Sequence, residues 1–142
     1  MQISTRFTVA LHIFACVEAF SGKYKVTSDF LAASINTNPV IVRKILGQLS
    51  RSGLISVARG TGGIELVRPP EEITFYDVYR AVESVEHNTL FRFHENPNPS
   101  CPVGSNIHAL LDQKLLAIQQ VMEDKMREFT IGDLRSEIRR MR

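Results

Sequence analysis

Two short helical patterns and a glycine-tipped hairpin follow one another in residues 25–68, which read KVTSDFLAASINTNPVIVRKILGQLSRSGLISVARGTGGIELVR. The helical segments carry apolar residues at steps of three and four, and the hairpin segments place apolar residues two apart. Helix, turn, helix and hairpin, in this order, form the layout of a winged helix-turn-helix. The stretch therefore predicts a mainly α-helical fold with a small β-hairpin wing.

The second helix of this stretch has the features of a DNA-recognition helix. Asn38 can cap its first turn, and Pro39 fits the first helical position, where a missing N–H costs nothing. Helical spacing gives it a basic face of Val40, Arg43, Lys44 and Gly47, and an apolar face of Val42, Ile45 and Leu49. Arg43 and Lys44 are then free to meet a DNA groove. An ordinary amphipathic helix with a solvated basic face is the alternative interpretation.

The hairpin predicts the wing. Ile55 and Val57 lie two apart in its first strand, RGTGG supplies turn chemistry at residues 59–63, and IEL forms the return strand at 64–66. Arg59 is suited to contact a DNA minor groove or a phosphate, because its planar guanidinium presents several N–H donors. RGTGG does not predict a nucleotide-binding loop, because no Gly-Lys-Ser/Thr follows and the glycines lead into a strand.

Helical patterns flank the winged stretch on both sides. Residues 5–20 predict a first helix that supports the core. Thr74 and Asp77 resemble a capping box, and they predict a fourth helix that ends near Glu86. Residues 87–104 contain prolines, asparagines and a glycine, which predict a segment without regular secondary structure.

A long amphipathic helix is predicted from Ser105 to Phe129. Its apolar positions are Ile107, Leu111, Leu115, Ile118, Met122 and Phe129, joined by Leu110 and Val121. Such a helix is roughly 36 Å long at ~1.5 Å per residue, too long to bury its apolar stripe on a small winged domain. We therefore expect it to pair with its twin in a homodimer. The expected interface residues are Leu111, Leu115, Ile118 and Met122.

A second Thr-x-x-Asp pattern, from Thr130 to Asp133, predicts a short final helix. Its expected inward residues are Leu134, Ile138 and Met141, and its expected outward residues are Arg135, Arg139, Arg140 and Arg142. The chain then divides into a winged DNA-binding domain at 1–86, a linker or sensing loop at 87–104, and the dimerisation helix with the terminal helix at 105–142.

Composition and charge fit a protein of the reducing cytoplasm. The chain has 142 residues, of which 44% are hydrophobic and 23% charged, enough for one core with an appendage. Two cysteines give no disulfide framework, and no run approaches the ~20 apolar residues that span a bilayer. Residues 1–70 carry a net charge of +5 and residues 71–142 a net charge of −3. This asymmetry suggests a nucleic-acid face and an assembly or sensing face, although chance gives the same asymmetry in a small protein.

Six segments carry a resemblance to one family. They are STRFTVALHI at 4–13, NPVIVRKILGQLSRSGLI at 38–55, RGTGG at 59–63, RPPEEITFYDVYRAVE at 68–83, CPVG at 101–104 and FTIGDL at 129–134. Together they resemble the Rrf-two family of bacterial winged helix-turn-helix regulators. The resemblance implies a homodimeric transcription factor that binds two half-sites of double-stranded DNA, with long helices crossing between the subunits.

The candidate DNA-binding residues come from the helix, the wing and this resemblance. They are Thr5, Arg6, Thr27, Ser28, Asn38, Pro39, Val40, Arg43, Lys44, Arg59, Gly60, Thr61 and Gly62. The expected function is that of a repressor at a palindromic operator, with a redox or small-molecule signal. The alternative is a winged-helix protein-interaction module without sequence-specific DNA binding. No Ser-His-Asp, paired-carboxylate, phosphate-loop or metalloprotease pattern indicates an enzyme.

One departure from the family concerns its cofactor. Cluster-binding members hold three cysteines before and at the start of the long helix, because an iron-sulfur cluster needs thiolate ligands. Here Cys101 is the single cysteine of that region, and Asn106, Ile107 and His108 stand where further ligands would be sought. The sequence therefore predicts a cluster-less branch of the family with no cofactor.

The same region holds histidines at a regular spacing. His87, His94, Cys101 and His108 are seven residues apart, but prolines between them break any shared helix. One thiol with scattered histidines is far less specific than a repeated C-x-x-C pattern. We therefore predict no metal site.

Two other candidates for a signal site remain open. Cys101 precedes a helix whose N-terminus favours a thiolate, which makes it a possible redox sensor. Phe91 and Phe93 are the alternative, as the lining of a pocket for a small effector. Cys16, on the apolar first helix, is predicted to be a small core residue.

Overall fold

The computed structural model describes residues 3–58, 63–83, 90–91 and 93–141. In chain order its elements are α1 (Thr5–Phe20), α2 (Ser28–Ile35), α3 (Pro39–Arg51), β1 (Ile55–Val57), β2 (Ile64–Leu66), α4 (Phe75–Val82), α5 (Ile107–Glu128) and α6 (Ile131–Arg140). Short 3-10 turns occur at Pro70–Glu72 and Gly104–Asn106. The predicted fold class is confirmed. Within these ranges, no helix combines the length and apolar content needed to cross a membrane.

Local sequence signals set the ends of the first three helices. Ser4, Thr27 and Asn38 cap α1, α2 and α3, each through a side-chain oxygen that accepts a backbone N–H bond from the first turn. Asn36 closes α2 at φ 61° and Gly53 follows α3 at φ 76°, so both adopt the left-handed conformation that ends a helix. These signals are local, which is why the sequence predicts the bounds closely.

The helices enclose one hydrophobic core. Its largest fully buried side chains are Phe14, Ile13, Leu31, Ile45, Leu49, Leu54, Ile55, Ile73, Ile131, Val42, Val78 and Val82. Each large apolar side chain contributes roughly 1.5–3 kcal/mol when it is fully buried. Cys16 also belongs to this core, as predicted, with 4% of its surface exposed.

The hairpin pairs β1 with β2 in antiparallel register, with Ile55 opposite Leu66 and Val57 opposite Ile64. Ala58 N donates to Gly63 O at 2.9 Å and extends the ladder beyond the strands. The predicted wing tip, residues 59–62, lies outside the described residues.

An isolated β-bridge between Thr74 and Thr130 joins the start of α4 to the start of α6. Two backbone hydrogen bonds of 2.9 Å flank it, from Phe75 N to Phe129 O and from Ile131 N to Ile73 O. Because α6 follows directly after α5, this bridge also fixes the C-terminal end of the long helix. We refer to residues 73–75 and 129–131 as the terminal bridge.

Both threonines of the terminal bridge are also helix caps. Thr74 forms a capping box with Asp77, and Thr130 forms one with Asp133. Each threonine hydroxyl accepts the N–H of its aspartate, and each carboxylate accepts the N–H of its threonine. The two predicted capping patterns are confirmed.

The ends of α4 and α5 differ from the prediction. α4 ends at Val82, short of Glu86, because Glu83 adopts an extended backbone and its carboxylate accepts a 2.9 Å hydrogen bond from Ser4 Oγ. Residues 84–89 lie outside the described residues. α5 begins at Ile107, two residues late, because residues 104–106 form a 3-10 turn.

Two orientations predicted for α6 are wrong. Met141 is 83% exposed, whereas Arg135 is half-buried and ion-paired with Glu18 and Glu71. Arg135 faces α1 and the first 3-10 turn, whose carboxylates attract it, and the spacing within α6 does not reveal these carboxylates. Leu134 does pack against the core, as predicted.

We predict that Thr130→Ala lowers the free energy of unfolding by about 1 kcal/mol, because it removes the cap of α6. For a chain of this size the midpoint of thermal unfolding then falls by roughly 2–5 °C. Ser136→Ala, at an exposed position of the same helix, is the control and leaves the midpoint unchanged or slightly raised. Circular dichroism melts of both variants test this. Equal midpoints in Thr130→Ala and wild type would contradict the capping role.

Candidate nucleic-acid interface

α3 turns four side chains to solvent near its N-terminus. Val40, with 60% of its surface exposed, is accompanied by the exposed Ile41, Arg43 and Lys44. The opposite side of the helix is buried through Val42, Ile45, Leu46 and Leu49. The core thus holds the helix from behind and leaves one face open to a partner.

Arg43 and Lys44, the two cations on this face, have no acidic partner among the described residues. By contrast, Arg135 and Arg127 on the C-terminal helices are both paired with acidic residues. Free cations at the surface are suited to phosphates and base edges.

A cleft of about 420 Å³ connects α3 with the start of α2 and with β1. Its lining residues are Thr27, Ser28, Arg43, Leu46, Gly47, Ser50 and Val57. The structure therefore brings together three residues that the sequence proposed for DNA contact, Thr27, Ser28 and Arg43. A Cβ at Gly47 would meet only the Arg51 guanidinium, at 3.2 Å, so Gly47 keeps the cleft open and is not approached by another backbone.

Asn38 and Thr27 already serve as helix caps. Asn38 Oδ1 accepts from Val40 N at 2.8 Å, and Thr27 Oγ1 accepts from Phe30 N at 3.1 Å. These side chains orient the first turns of α3 and α2 toward the cleft. Pro39 follows Asn38 and occupies the first helical position.

Thr5 and Arg6 are exposed in the first turn of α1, outside this cleft. The next residue, Phe7, packs edge to face on Phe75 and Tyr79, at centroid distances of 6.4 and 5.8 Å. This contact ties the first turn of α1 to α4, and the structure does not bring Thr5 or Arg6 together with Arg43.

The structure adds surface residues that the sequence interpretation missed. A second cavity, of about 510 Å³, lies between the α1–α2 loop and the hairpin, and Tyr24 and Lys25 line it. Tyr24 is 60% exposed and stacks on Phe30 with a centroid distance of 6.2 Å. Lys25 Cγ lies 4.0 Å from the position of a Cβ at Gly63. A basic and aromatic pair just before the Thr27 cap is the signal that would have pointed to this patch.

Cys101 lies in a tight turn ahead of α5. Its thiol is partly exposed, and the backbone N–H groups of Gly104 and Val103 lower the pKa of Cys101 by hydrogen bonding to the sulfur. A Cβ at Gly104 would lie 2.7 Å from Asn98 O, so this turn requires glycine there. These hydrogen bonds stabilise the thiolate, which is the reactive form of a cysteine.

The donor atoms near Cys101 do not match an iron-sulfur cluster or a metal ion. Within the described ranges, no group of three histidine, cysteine or acidic side chains is placed to hold a metal. His108 Nδ1 pairs with Asp112 at 3.1 Å, and its ring lies 4.2 Å from the Phe93 ring. A cluster is held by several thiolates, and this region supplies one. His87 lies outside the described residues.

A cavity of about 380 Å³ lies beside the start of α5, at the predicted effector position. Its lining residues are Phe91, Phe93, His108, Asp112, Gln113, Leu115, Leu116 and Gln119. Gln119 is buried, and its Oε1 accepts a 2.8 Å hydrogen bond from Leu90 N. The linker is thereby attached to the long helix at this point.

The apolar stripe of α5 remains largely uncovered in the single chain. Leu110, Leu116, Ile118, Val121 and Phe129 are exposed, and Leu111, Leu115 and Met122 are half-buried. Gln119 is the one buried residue of this helix. α5 contacts its own domain through α4, where the Arg127 guanidinium lies 3.9 Å from the centre of the Tyr76 ring.

Comparison with known proteins agrees with this geometry. The model of the Rrf2 family, described as an iron-dependent transcriptional regulator, matches residues 3–137. Bacillus subtilis YwnA, named as an HTH-type transcriptional regulator, is 37% identical over 133 residues, covering 94% of this chain and 96% of YwnA. The HTH-type transcriptional regulator NsrR of Shouchella clausii is 28% identical, covering 94% of this chain and 88% of NsrR.

Solved structures show the same fold. A crystal structure described as that of a DNA-binding protein has a TM-score of 0.73 and 31% identity, covering 91% of this chain and 97% of its own. The oxidized form of Staphylococcus aureus CymR has a TM-score of 0.67 and 22% identity, covering 92% and 93%. The chain belongs to the Rrf2 family of helix-turn-helix transcriptional regulators, a family of DNA-binding proteins and not of enzymes.

Proposed function

We propose that the protein is a homodimeric repressor that binds a palindromic operator in the cytoplasm. The observation that carries this proposal is the pair of exposed cations, Arg43 and Lys44, on the open face of α3 beside a cleft shared with α2 and β1. A second copy, related by two-fold symmetry, would present the same face to a second half-site about 34 Å away.

In this proposal the surface of α3 enters the major groove. Arg43 reads a base edge, Lys44 neutralises a phosphate, and Val40 meets a thymine methyl group. Asn38 and Pro39 lie at the edge of the groove, and their other role is to start the helix.

The surrounding residues serve the DNA backbone and the minor groove. Thr27 and Ser28 face phosphates across the cleft, and residues 59–62 (Arg59, Gly60, Thr61 and Gly62) reach the adjacent minor groove. Thr5 and Arg6 then contact the phosphate backbone beyond the cleft.

We predict that Arg43→Ala weakens binding to the preferred operator by about 1–3 kcal/mol and broadens base preference, because it removes a bidentate base contact. Lys44→Ala weakens binding to all sequences alike. It also lowers the slope of log affinity against log salt concentration by the contribution of about one phosphate. Arg140→Ala, on the last helix, removes the same charge and serves as the control. Duplexes selected from random DNA, followed by titrations at several salt concentrations, measure these effects. Wild-type binding by the Arg43→Ala, Lys44→Ala double variant would reject the placement.

The alternative function, a protein-interaction module, does not predict a steep loss of affinity as the salt concentration rises. An interface built on phosphate contacts loses affinity steeply as salt rises, with a slope of about −0.9 per neutralised phosphate on logarithmic axes. The free cations on α3 support DNA over protein. Selection that returns no enriched duplex would favour the alternative.

The dimer is proposed from the uncovered stripe of α5. The expected contacts are Leu111, Leu115, Ile118 and Met122, which lie near one side of the helix and are partly or fully exposed in one chain. Burying such a stripe against its twin stabilises the dimer by about 25 cal/mol for each Å² of apolar surface that is removed from water.

We predict that Ile118→Asp dissociates the dimer, because an unpaired charge in an apolar interface is costly. Ile118 is 54% exposed in the single chain, so the substitution leaves the fold of each subunit intact. Gln120→Asp, at an exposed position on the same helix, is the control that stays dimeric. Light scattering at micromolar concentration measures the mass. A wild-type monomer would overturn the dimer proposal.

We further propose that this member carries no iron-sulfur cluster and that Cys101 carries its redox signal. The one-thiol donor set supports the first statement, and the lowered pKa of Cys101 supports the second. The Phe91–Phe93 cavity offers the other route, through a small effector. Oxidation of Cys101, or binding of an effector in the cavity, would tilt the two winged domains relative to α5.

We predict that mild peroxide lowers operator affinity of the wild type and leaves Cys101→Ser unchanged, because the partly exposed Cys101 is oxidised more readily than the buried Cys16. Gel shifts before and after treatment compare the two proteins. Equal responses would exclude the Cys101 switch, and visible iron-sulfur absorbance in the purified protein would exclude the cluster-less proposal.

A further inference from the structure

Three polar side chains form a continuous hydrogen-bonded chain on the side of the protein where α1, α2 and α6 meet. Cys16 Sγ donates to Ser34 Oγ at 3.2 Å, and Ser34 Oγ lies 3.1 Å from His12 Nε2. His12 and Cys16 are one turn apart on α1, and Ser34 comes from the last turn of α2. None of the three belongs to the DNA-binding or dimerisation surfaces proposed above.

An open cavity of about 360 Å³ adjoins this chain. Besides the three polar residues, its lining consists of Ala15, Ala19, Phe20, Ile138 and Met141. The volume falls within the range of small-molecule sites. Cys16 is 4% exposed, and the surface it retains borders this cavity. A small molecule that reaches the thiol through this cavity would meet mainly apolar side chains.

We propose that Cys16, Ser34 and His12 form a thiol site that is alkylated by small apolar α,β-unsaturated carbonyl compounds. Here Cys16 is the nucleophile and Ser34 a proton relay, while His12 accepts the proton. The cavity favours uncharged compounds, because five of the eight residues that line it are apolar.

The reaction balances without an oxidant. Neutral His12 accepts the Ser34 hydroxyl proton at Nε2, and Ser34 Oγ takes the proton from the Cys16 thiol, which leaves a thiolate and an imidazolium. The thiolate electron pair forms a sulfur–carbon bond to the β-carbon of the carbonyl compound, and the carbon–carbon π pair moves onto the α-carbon. The imidazolium returns a proton to the α-carbon. All atoms of the reagent remain in a thioether adduct.

An adduct in this cavity has a direct route to α3. It would sit between α1 and α2, and α2 packs against α3 through the buried Leu31 and Ala32 side. The cavity also contacts α6, which the terminal bridge joins to α4 and α5. A bulky group at Cys16 would separate α2 from α1 and change the position of α3. This consequence rests on the proposed DNA-binding function, whereas the alkylation itself does not.

The test uses the full-length protein and N-ethylmaleimide, a neutral unsaturated carbonyl compound, with a sulfonated maleimide as the charged control. Intact mass and peptide mapping follow both cysteines with time. We expect N-ethylmaleimide to label Cys16 and Cys101 in the folded protein, and the charged reagent to label Cys101 alone. Labelling of Cys16 only at the rate of global unfolding would overturn the site.

Substitutions of the relay separate chemistry from packing. Ser34→Ala and His12→Gln should each slow the labelling of Cys16 by at least about a hundredfold, the low end of the effect of a positioned base, with Cys101 as the unaffected internal standard. Ser34→Thr keeps the hydroxyl and should retain the rate. If Ser34 only packs over Cys16, its truncation would expose the sulfur, and an equal or faster rate in Ser34→Ala would overturn the relay.

DNA binding forms a separate arm of the experiment. In Cys101→Ser protein, N-ethylmaleimide should lower operator affinity, and Cys16→Ser in the same background should abolish the response. Labelled protein with unchanged affinity would overturn the coupling to α3. Failure of the unlabelled protein to bind any duplex would overturn the proposed function while the labelling result still decides the thiol site.

Discussion

Two backbone hydrogen bonds at the terminal bridge connect the winged domain with the C-terminal helices. Around them, Ile73 and Ile131 are fully buried, so the bonds lie in a setting where water does not compete for the same groups. Gly132 allows the close approach, because a Cβ there would lie 3.0–3.3 Å from atoms of Glu71. The position of α6, and with it the direction in which α5 leaves the domain, depends on this small region.

Charge strengthens the same junction. Arg135 of α6 is paired with Glu71 and, at 3.8 Å, with Glu18 of α1. Burial raises the pKa of Glu18, and the positive charges of Arg135 and Arg139 oppose that shift. A carboxyl group with a raised pKa costs stability as pH rises from its ordinary pKa through the raised one, and the cost is complete above it. Arg135 therefore offsets part of the cost of keeping Glu18 ionised at neutral pH. The arginine is best understood as a structural residue of the junction.

Most of the fold could be predicted because its signals are local. Capping residues such as Thr27, Asn38 and Thr130 identify helix starts from a few neighbouring letters, and the strand spacing identifies the hairpin. The errors arose where the deciding contact is distant in sequence. The outward orientation predicted for Arg135 is wrong because Glu18 is far away along the chain. The hydrogen bond between the core residue Cys16 and Ser34 is not predicted, because Ser34 comes from another helix. The cleft next to Arg43 could not be predicted from the sequence for the same reason, because residues of three separate elements line it.

In the proposed dimer, the attachment of α5 would also determine the distance between the two winged domains. α5 has 22 residues and its C-terminal end is held at the terminal bridge. In a dimer joined through this helix, its length would set the distance between the two winged domains. One added residue would advance the partner by ~1.5 Å and rotate it by about 100°, whereas seven would advance it by roughly 10 Å and nearly restore its facing. In such a dimer, whole heptads added to α5 would change the spacing of the two winged domains without any change in α3.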